Sequence, residues 1–269
     1  MARRSTSARG ALLLAALALA LAACNAESDA FDLSRRAKSQ WDDGAHEDAA
    51  RNFIALTEIY PGSVLVEESF YWAASLYRHY LRNRPLAIRY YQQGVVRFPE
   101  GEFALDAREN LAQMYAEEPA TLHRAMQLYR QLMNAKELRG RQEELQLQVA
   151  LLNLQMSRTG QARLELRAFL RQFPHSDQRA QVFYLVGYSF YLEQRRPLAL
   201  AVMAQTAKDF QGTPVGAQAQ FFMADTHEEL GHYQEALRLF QGLEGKYHNP
   251  KILEKRVETL QARIRRGVR

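Results

Sequence analysis

The sequence has little of several residue types on which common folds and sites depend. It holds one cysteine, Cys24, which excludes a disulfide framework and paired-cysteine metal or redox motifs. It has no long Gly/Ser-rich or Pro-rich tract, so we expect no flexible linker between folded domains. A phosphate-binding glycine-rich loop and a nucleophile elbow are also missing from the sequence. The fold must therefore depend on apolar packing, for which 47% of the residues are available.

One long apolar run is present, at the N-terminus. Arg3, Arg4 and Arg9 precede an apolar stretch over residues 11–23. The stretch is shorter than the roughly 20 residues that a membrane-spanning helix needs, and its charge order is that of a secretory signal. The sequence therefore predicts a signal peptide over residues 1–23, with an uncleaved anchor as the alternative.

The end of this run, Leu-Ala-Ala-Cys, resembles the bacterial lipobox. The resemblance implies cleavage before Cys24, lipidation of Cys24, and a lipidated linker over residues 24–32. Asn25 stands where, in the sorting rule of enteric bacteria, an aspartate would favour retention in the inner membrane. We therefore expect a protein anchored by lipid in the bacterial outer membrane and facing the periplasm.

The remainder of the chain is a repeat. An alanine recurs at intervals of 38, 38, 37, 37 and 37 residues, and a bulky apolar residue follows each of these alanines four positions later. The alanines are Ala49, Ala87, Ala125, Ala162, Ala199 and Ala236. A fixed period of this length indicates units that bury their apolar faces against their neighbours.

Each unit is predicted to be a pair of helices. Residues four apart share one helix face, so each alanine marks a close helix crossing. Pro85 and Pro197 precede their alanines by two residues, as at helix starts, whereas Pro61, Pro99 and Pro174 are placed to end helices. The third copy has Lys136 and Glu137 in place of the terminal aromatic residue and proline, so its second helix is expected to end near Gly140.

These patterns resemble the tetratricopeptide repeat over residues 33–250. The sixth copy carries that family's Leu-Gly, Tyr, Ala and aromatic positions, as Leu230, Gly231, Tyr233, Ala236 and Phe240. The resemblance implies an all-α, right-handed superhelical solenoid of about six helix pairs. Leu253, Val257, Leu260, Ile264 and Val268 then form an apolar stripe, which predicts a basic amphipathic capping helix over residues 251–269. Docking of this helix on an acidic partner or anionic lipid is the alternative reading.

The chain is not expected to be an enzyme. His227, Glu228 and His232 come close to a zinc-protease motif, but the two histidines are five residues apart instead of four and Gly231 lies between them. The other histidines and the acidic pairs show no ligand or catalytic spacing. We therefore expect no catalytic residue, no metal site and no cofactor. Nucleic acid is not an expected partner, because no aromatic-basic binding motif is present.

The resemblance also implies where partners bind. In tetratricopeptide proteins the first helices of successive repeats line a groove. By register, the partner-binding groove positions here are Lys38, Trp41, Tyr71, Arg78, Glu109, Gln113, Tyr184, Tyr188, Tyr191, Phe221 and Asp225. Such an aromatic lining suits a protein or peptide partner, since Tyr and Trp offer large rigid contact areas. Alternatively, several of these aromatic residues pack against neighbouring helices.

A lipidated array of such repeats resembles the repeat-containing lipoproteins of the β-barrel assembly machinery of the outer membrane. That resemblance implies a scaffold that contacts a barrel insertase and unfolded barrel substrates. The chain departs from it in having six repeats where five are typical. Two alternatives remain: a periplasmic adaptor for cell division or peptidoglycan synthesis of the Tol-Pal-associated type, and a scaffold lipoprotein for secretion or polysaccharide export.

Overall fold

The computed structural model describes the backbone of residues 5–267 and the side chains of residues 24–267. Within those residues the chain forms thirteen α-helices and two short 3₁₀ helices, with no strand. It divides into two compact units, residues 1–118 (unit 1) and residues 119–269 (unit 2). The all-α class is therefore confirmed. The predicted signal peptide precedes the residues whose side chains are described.

Unit 1 contains five helices, each packed on the next one along the chain. They are α1 (Ser5–Asp42), α2 (His46–Ile59), α3 (Val66–His79), α4 (Arg84–Arg97) and α5 (Ala104–Ala116).

Unit 2 contains eight α-helices, again packed consecutively. They are α6 (Leu122–Asn134), α7 (Gln142–Gln155), α8 (Thr159–Gln172), α9 (Arg179–Leu192), α10 (Arg196–Asp209), α11 (Pro214–Glu229), α12 (Tyr233–Gln241) and α13 (Pro250–Arg265). The 3₁₀ helices Pro119–Thr121 and Lys136–Arg141 flank α6.

The repeating alanines form the core of each helix pair. All six are fully buried, and so are the bulky residues four positions later, none of which is more than 3% exposed. Those partners are Phe53, Tyr91, Tyr129, Leu166, Met203 and Phe240. A side chain as small as alanine lets a neighbouring helix approach while the bulky residue fills the adjacent space. The alanine register and the helix-pair units are thus confirmed.

Helix boundaries follow the prolines and the terminal aromatic residues. Pro85 and Pro197 lie in the first turns of α4 and α10, where no amide proton is needed. The aromatic residues Tyr60, Phe98, Phe173 and Phe210 cap the C-terminal ends of α2, α4, α8 and α10. Proline follows the first three, which prevents those helices from continuing.

Two predictions about local structure are wrong. Residues 24–32, expected to be a linker, lie within α1, and Ala30 packs in a buried cluster with Leu56, Val66 and Phe70. The third copy's second helix ends at Asn134 instead of near Gly140. A 3₁₀ helix then covers Lys136–Arg141, and Leu138 inside it has φ −98° and ψ 16°, which interrupts regular helix.

Carboxylates tie successive repeats together at the turns. Glu27 accepts a hydrogen bond from Ser63 Oγ at 2.9 Å, and Glu143 accepts one from Ser176 Oγ at 2.6 Å. Both serines follow a helix-ending proline by two residues, and each hydroxyl also accepts from a backbone N–H two residues on. The same contact therefore recurs once in unit 1 and once in unit 2.

A glycine replaces the serine at a third turn, with a different contact. Glu67 Oε1 accepts from the backbone N–H of Phe103 at 2.8 Å. A Cβ atom added at Gly101 would lie 2.1 Å from that same oxygen. The absence of a side chain at Gly101 is thus what lets the carboxylate reach the backbone.

The basic C-terminal segment forms α13 and packs on α12. Leu253 and Leu260 are buried in a cluster with Leu243 and Phe240, while Val257 packs against its edge. Leu253, Val257 and Leu260 of the predicted stripe therefore face the last repeat, and Val268 lies outside the described residues. Among the described residues, no helix has the length and apolar character needed to cross a membrane.

Candidate protein-binding site

Three tyrosines on one face of α9 meet a phenylalanine of α11. Tyr184, Tyr188 and Tyr191 are spaced four and three residues apart, and all three are half-buried. The ring centroid of Phe222 lies 6.0, 6.1 and 4.9 Å from theirs, each pair close to perpendicular. These four residues are the aromatic cluster of unit 2. Edge-to-face contacts of this kind hold aromatic side chains in fixed positions.

The predicted groove position on α11 is displaced by one residue. Phe221 points away from α9: its ring centroid lies 5.0 Å from that of Phe240 and 4.5 Å from that of Tyr247, whose ring is nearly parallel to it. It therefore packs into the core beside α12, and Phe222 faces α9 instead. One residue rotates a helical side chain by about 100°. Because both positions are phenylalanine, residue type alone could not choose between them.

A charged rim borders the aromatic cluster. Tyr191 Oη donates a hydrogen bond to Glu229 Oε1 at 2.5 Å, and this bond is the main reason that the pKa of Tyr191 is raised. The guanidinium carbon of Arg196 lies 3.8 Å from the centre of the Tyr191 ring. Arg196 Nη2 is also 3.5 Å from Glu229 Oε2. The position of Tyr191 is thus fixed from both sides.

Helix α13 supplies two arginines to the same region. Arg256 Nη1 and Arg263 Nη1 each lie 3.2 Å from Glu228, whose side chain is only 13% exposed. Arg256 also donates to Asp225, the predicted groove residue. Burial is the leading cause of a raised pKa at Asp225, opposed by the nearby charge of Arg256. Unlike Phe221, Asp225 lies on the same side of α11 as Phe222.

Part of this region is an open pocket of about 540 Å³ in unit 2, lined by residues of α9, α11, α12 and α13. Its walls are aromatic at Tyr191, Phe222 and Tyr233, and its other lining side chains are mostly the carboxylates and arginines just described. Tyrosine and arginine side chains are common at the centres of surfaces that bind other proteins. The pocket therefore offers aromatic contact area and charged hydrogen-bonding groups to a bound segment.

In unit 1 the two predicted groove residues of α1 make other contacts, an ion pair for Lys38 and aromatic packing for Trp41. Lys38 Nζ lies 3.0 Å from Glu68 Oε1 across the repeat boundary. Trp41 packs against Trp72 and Tyr80, with ring centroids 5.2 and 6.0 Å apart. For Trp41, packing against neighbouring helices is the reading that the structure favours.

The predicted positions on α3 and α5 form a polar contact. Arg78 donates to Asn110 and, at 2.9 Å, to Gln113. Gln113 in turn donates to Glu109 at 3.4 Å. Tyr71 packs on Phe103 at 5.0 Å, and burial raises its pKa. In this unit Arg78, Glu109 and Gln113 are brought together on one surface.

Several residues of the site were not predicted from the sequence. Phe222, Glu229, Arg256 and Arg263 all line the pocket, but none belonged to the register positions used for the prediction. The two arginines are seven residues apart on an amphipathic helix, a spacing that places both on one face. That spacing was a usable signal. The contact of this face with α11 depends on tertiary packing.

The two histidines near the α11–α12 turn lie side by side. His227 Nδ1 and His232 Nδ1 are 3.3 Å apart, and burial lowers the pKa of His227. Among the described residues, no group of three or more His, Cys, Asp or Glu side chains is arranged to hold a metal ion.

Comparison with solved structures identifies the fold. PilW, a type IV pilus biogenesis factor, aligns with a TM-score of 0.52 and 13% sequence identity, over 86% of this chain and 98% of its own. The chain has the tetratricopeptide-like fold. PilF from Pseudomonas aeruginosa aligns with a TM-score of 0.49 and 15% identity, over 88% of this chain and 99% of its own. A tetratricopeptide repeat protein from Parabacteroides merdae gives 0.47 and 14%, over 87% and 99%.

No protein-family model and no curated protein sequence matches the chain. At these identities the structural likeness concerns the fold. The tetratricopeptide fold is typical of non-enzymatic scaffolds that bind other proteins.

Proposed function

We propose that this chain is a lipid-anchored scaffold that faces the periplasm from the outer membrane and binds protein segments during assembly of outer-membrane β-barrels. The observation that carries the binding part of the proposal is the pocket of unit 2, where Phe222 and Tyr191 stand beside Asp225 and Glu229. Aromatic side chains with adjacent charges suit an extended segment that alternates apolar and polar residues. Segments of β-barrel strands have that alternation.

The anchoring part rests on the lipobox-like sequence ending at Cys24. In the structure the Cys24 side chain is exposed, as acylation requires. Replacing Cys24 with alanine, in a chain whose leader is exchanged for a secretion signal that is cleaved without acylation, should move the protein from the membrane fraction to the soluble periplasmic fraction. Continued retention in the membrane would show that acylation is not the main anchor.

The binding part is tested by photo-crosslinking in native membranes. A photoreactive residue replaces Tyr188 in the aromatic cluster, Cys24 is left intact, and adducts are identified by mass spectrometry. A matched control places the same residue at Val96, which is 81% exposed on α4. We expect adducts to a barrel insertase or to unfolded outer-membrane proteins from position 188 and not from position 96. A second variant with Phe222→Ala should lose those adducts.

Other adducts would move the protein to one of the alternative functions. Division or peptidoglycan-synthesis factors would indicate the adaptor function. Components of a secretion, polysaccharide-export or pilus apparatus would indicate the export scaffold, and PilW offers a precedent for this fold in pilus biogenesis. Equal adducts from positions 188 and 96 would contradict the groove as the binding site.

A further inference from the structure

The two units carry opposite net charge. Residues 24–118 contain ten Lys/Arg against sixteen Asp/Glu, a net charge of −6. Residues 119–269 contain 22 Lys/Arg against fourteen Asp/Glu, a net charge of +8. Part of the positive charge belongs to α13, but residues 119–213 alone hold thirteen cations against seven carboxylates. Helices α6 to α10 therefore have a basic surface of their own.

Four of these cations repeat with the period of the core alanines. Arg130 and Arg167 follow Ala125 and Ala162 by five residues, and Arg171 and Lys208 follow Ala162 and Ala199 by nine. At about 100° per residue, positions five and nine lie roughly 140–180° from the buried alanine. All four residues are exposed. They form the outer basic face of α6, α8 and α10.

The four cations of the outer basic face have no carboxylate partner among the side chains described. By contrast, Arg163 on the inner side of α8 is 2.7 Å from Glu193. The carboxylates nearest to the face along these helices, Glu165 and Asp209, accept hydrogen bonds from Gln161 and Gln205 instead. The positive charge on this face is therefore not neutralised within the unit.

An exposed leucine lies beside this face, one turn before Arg167 on α8. Gly160, Leu164, Arg167 and Arg171 follow one another at spacings of four, three and four residues, which places them on a single stripe of α8. Leu164 is 59% exposed. A large exposed apolar side chain next to unpaired cations is typical of surfaces that lie at a lipid interface, where the apolar group enters the headgroup region and the cations meet phosphates.

We infer that the outer basic face of α6, α8 and α10 docks on an anionic phospholipid surface. Leu164 enters the interface, and Arg130, Arg167, Arg171 and Lys208 contact lipid phosphates. A soluble acidic protein would be attracted by the cations, but it would give no reason for an exposed leucine beside them. The inference goes beyond the proposed function and does not depend on binding in the groove of unit 2.

The test places an environment-sensitive fluorophore at position 164. The full chain carries Cys24→Ser, which prevents acylation, together with Leu164→Cys as the single labelling site. It is mixed with vesicles of phosphatidylcholine alone or of phosphatidylcholine with phosphatidylglycerol. Because the apolar leader can insert into either vesicle, the readout is the environment of residue 164 and not the bound fraction. We expect a blue shift with the anionic vesicles only, weakened by added salt.

Charge reversal and a matched position provide the controls. Arg167→Glu with Arg171→Glu should weaken the response by at least about tenfold, since each cation near an anionic surface contributes measurably to binding. Replacement of both by lysine should preserve it. The matched label is Val96→Cys, which follows Ala87 by nine residues on α4 and thus has the register position of Arg171. It should not respond.

Three outcomes would overturn the inference. One is an equal response at positions 96 and 164, which would indicate general adsorption. A response at 164 that survives charge reversal would be the second. The third is a response to soluble polyglutamate or inositol hexaphosphate without any response to anionic vesicles, which would assign the face to a soluble anionic partner. Circular dichroism melting of each variant would confirm that it remains folded.

Discussion

Units 1 and 2 have the same kind of core, but the side chains that join the first helices of their helix pairs differ. In both units a fully buried alanine pairs with a bulky residue four positions later. In unit 1 the first helices are joined by polar contacts, such as Lys38 with Glu68 and Arg78 with Gln113, as well as by aromatic packing such as Trp41 on Trp72. In unit 2 the contact between α9 and α11 is mainly aromatic, with Phe222 set among three tyrosines. The buried core therefore sets the repeat period, while the side chains on the first helices can differ between units and with them the kind of partner that each unit binds.

The largest expected effect tests whether the core is equivalent in the two units. Ala87→Trp in unit 1 and Ala199→Trp in unit 2 should each lower the free energy of unfolding by at least about 1–3 kcal/mol, because neither site has room for the added side chain. Urea denaturation measures both. The control is Ala201→Trp, at an exposed position on the same helix as Ala199. An unchanged urea denaturation curve for either core variant would mean that the alanine register is misassigned in that unit.

The next effect concerns a polar contact in unit 2, between α8 and the C-terminal end of α9. Glu193 accepts hydrogen bonds from Arg163 at 2.7 Å and from Thr159 at 2.5 Å, and these bonds lower its pKa from 4.5. A lowered folded-state pKa adds stability above the unfolded-state pKa, and that stability is lost as the pH falls through the folded-state pKa. Glu193→Gln should therefore cost about 1–2 kcal/mol at neutral pH.

The pH dependence of this variant separates charge from packing. The difference between wild type and Glu193→Gln should shrink as the pH falls below the ordinary glutamate pKa and then through the lowered folded-state pKa of Glu193, because the wild-type carboxylate is then protonated too. Glu235→Gln, in an exposed pair with Arg238, should have a much smaller effect at neutral pH. A difference for Glu193→Gln that stayed constant down to acid pH would show that its charge is not what joins the repeats here.

A smaller effect is expected at the polar junction of unit 1. Alanine at Gly101 would displace the Glu67 carboxylate and break its bond to the Phe103 amide, at a cost of about 1 kcal/mol. Gly62→Ala is the matched control, since nothing lies within 4 Å of an added Cβ there. In a Glu67→Ala background the cost of Gly101→Ala should disappear. If the cost remains in that background, the glycine is required for another reason.

The smallest effect is expected at the rim of the aromatic cluster. Tyr191→Phe removes the hydroxyl that donates to Glu229 and keeps the ring beneath Arg196. Thermal denaturation should show a loss of about 0.5 kcal/mol, because the bond is exposed to solvent. A loss larger than that of Glu193→Gln would reverse the comparison, since the hydroxyl and not the ring would then hold this face together.

The sequence was sufficient for those parts of the fold that depend on periodic burial. The alanine spacing predicted the helix pairs, and proline and aromatic positions predicted most helix ends, because both signals are local. The extension of α1 through residues 24–32 was missed, since a short polar segment gives no sign that Ala30 packs against Leu56 and Val66. The 3₁₀ helix after α6 was missed for a similar reason. Loss of the usual stop signal does not reveal what replaces it.

The candidate site was less predictable than the fold. Register arguments placed the tyrosines of α9 on one face, but they could not distinguish Phe221 from Phe222, which differ only in rotation about the helix axis. Nor could they place Arg256 beside Asp225, because that contact joins residues 31 positions apart through the packing of α13. Sequence periodicity indicates which residues share one face of a helix. It does not indicate which side chains of the neighbouring helix contact that face.

The arginines of α13 have a consequence for the length of the array. Stacked repeats have no inherent end, because the outer face of each pair can receive another. Here Arg256 and Arg263 neutralise Glu228 and cover the place that a seventh pair would use, while Leu253 fills the apolar space beneath. A chain truncated before Pro250 would expose unpaired carboxylates and apolar side chains at the end of α11 and α12, and such a surface is prone to association. Helix α13 thus covers both the charge and the apolar surface that the sixth helix pair would otherwise expose.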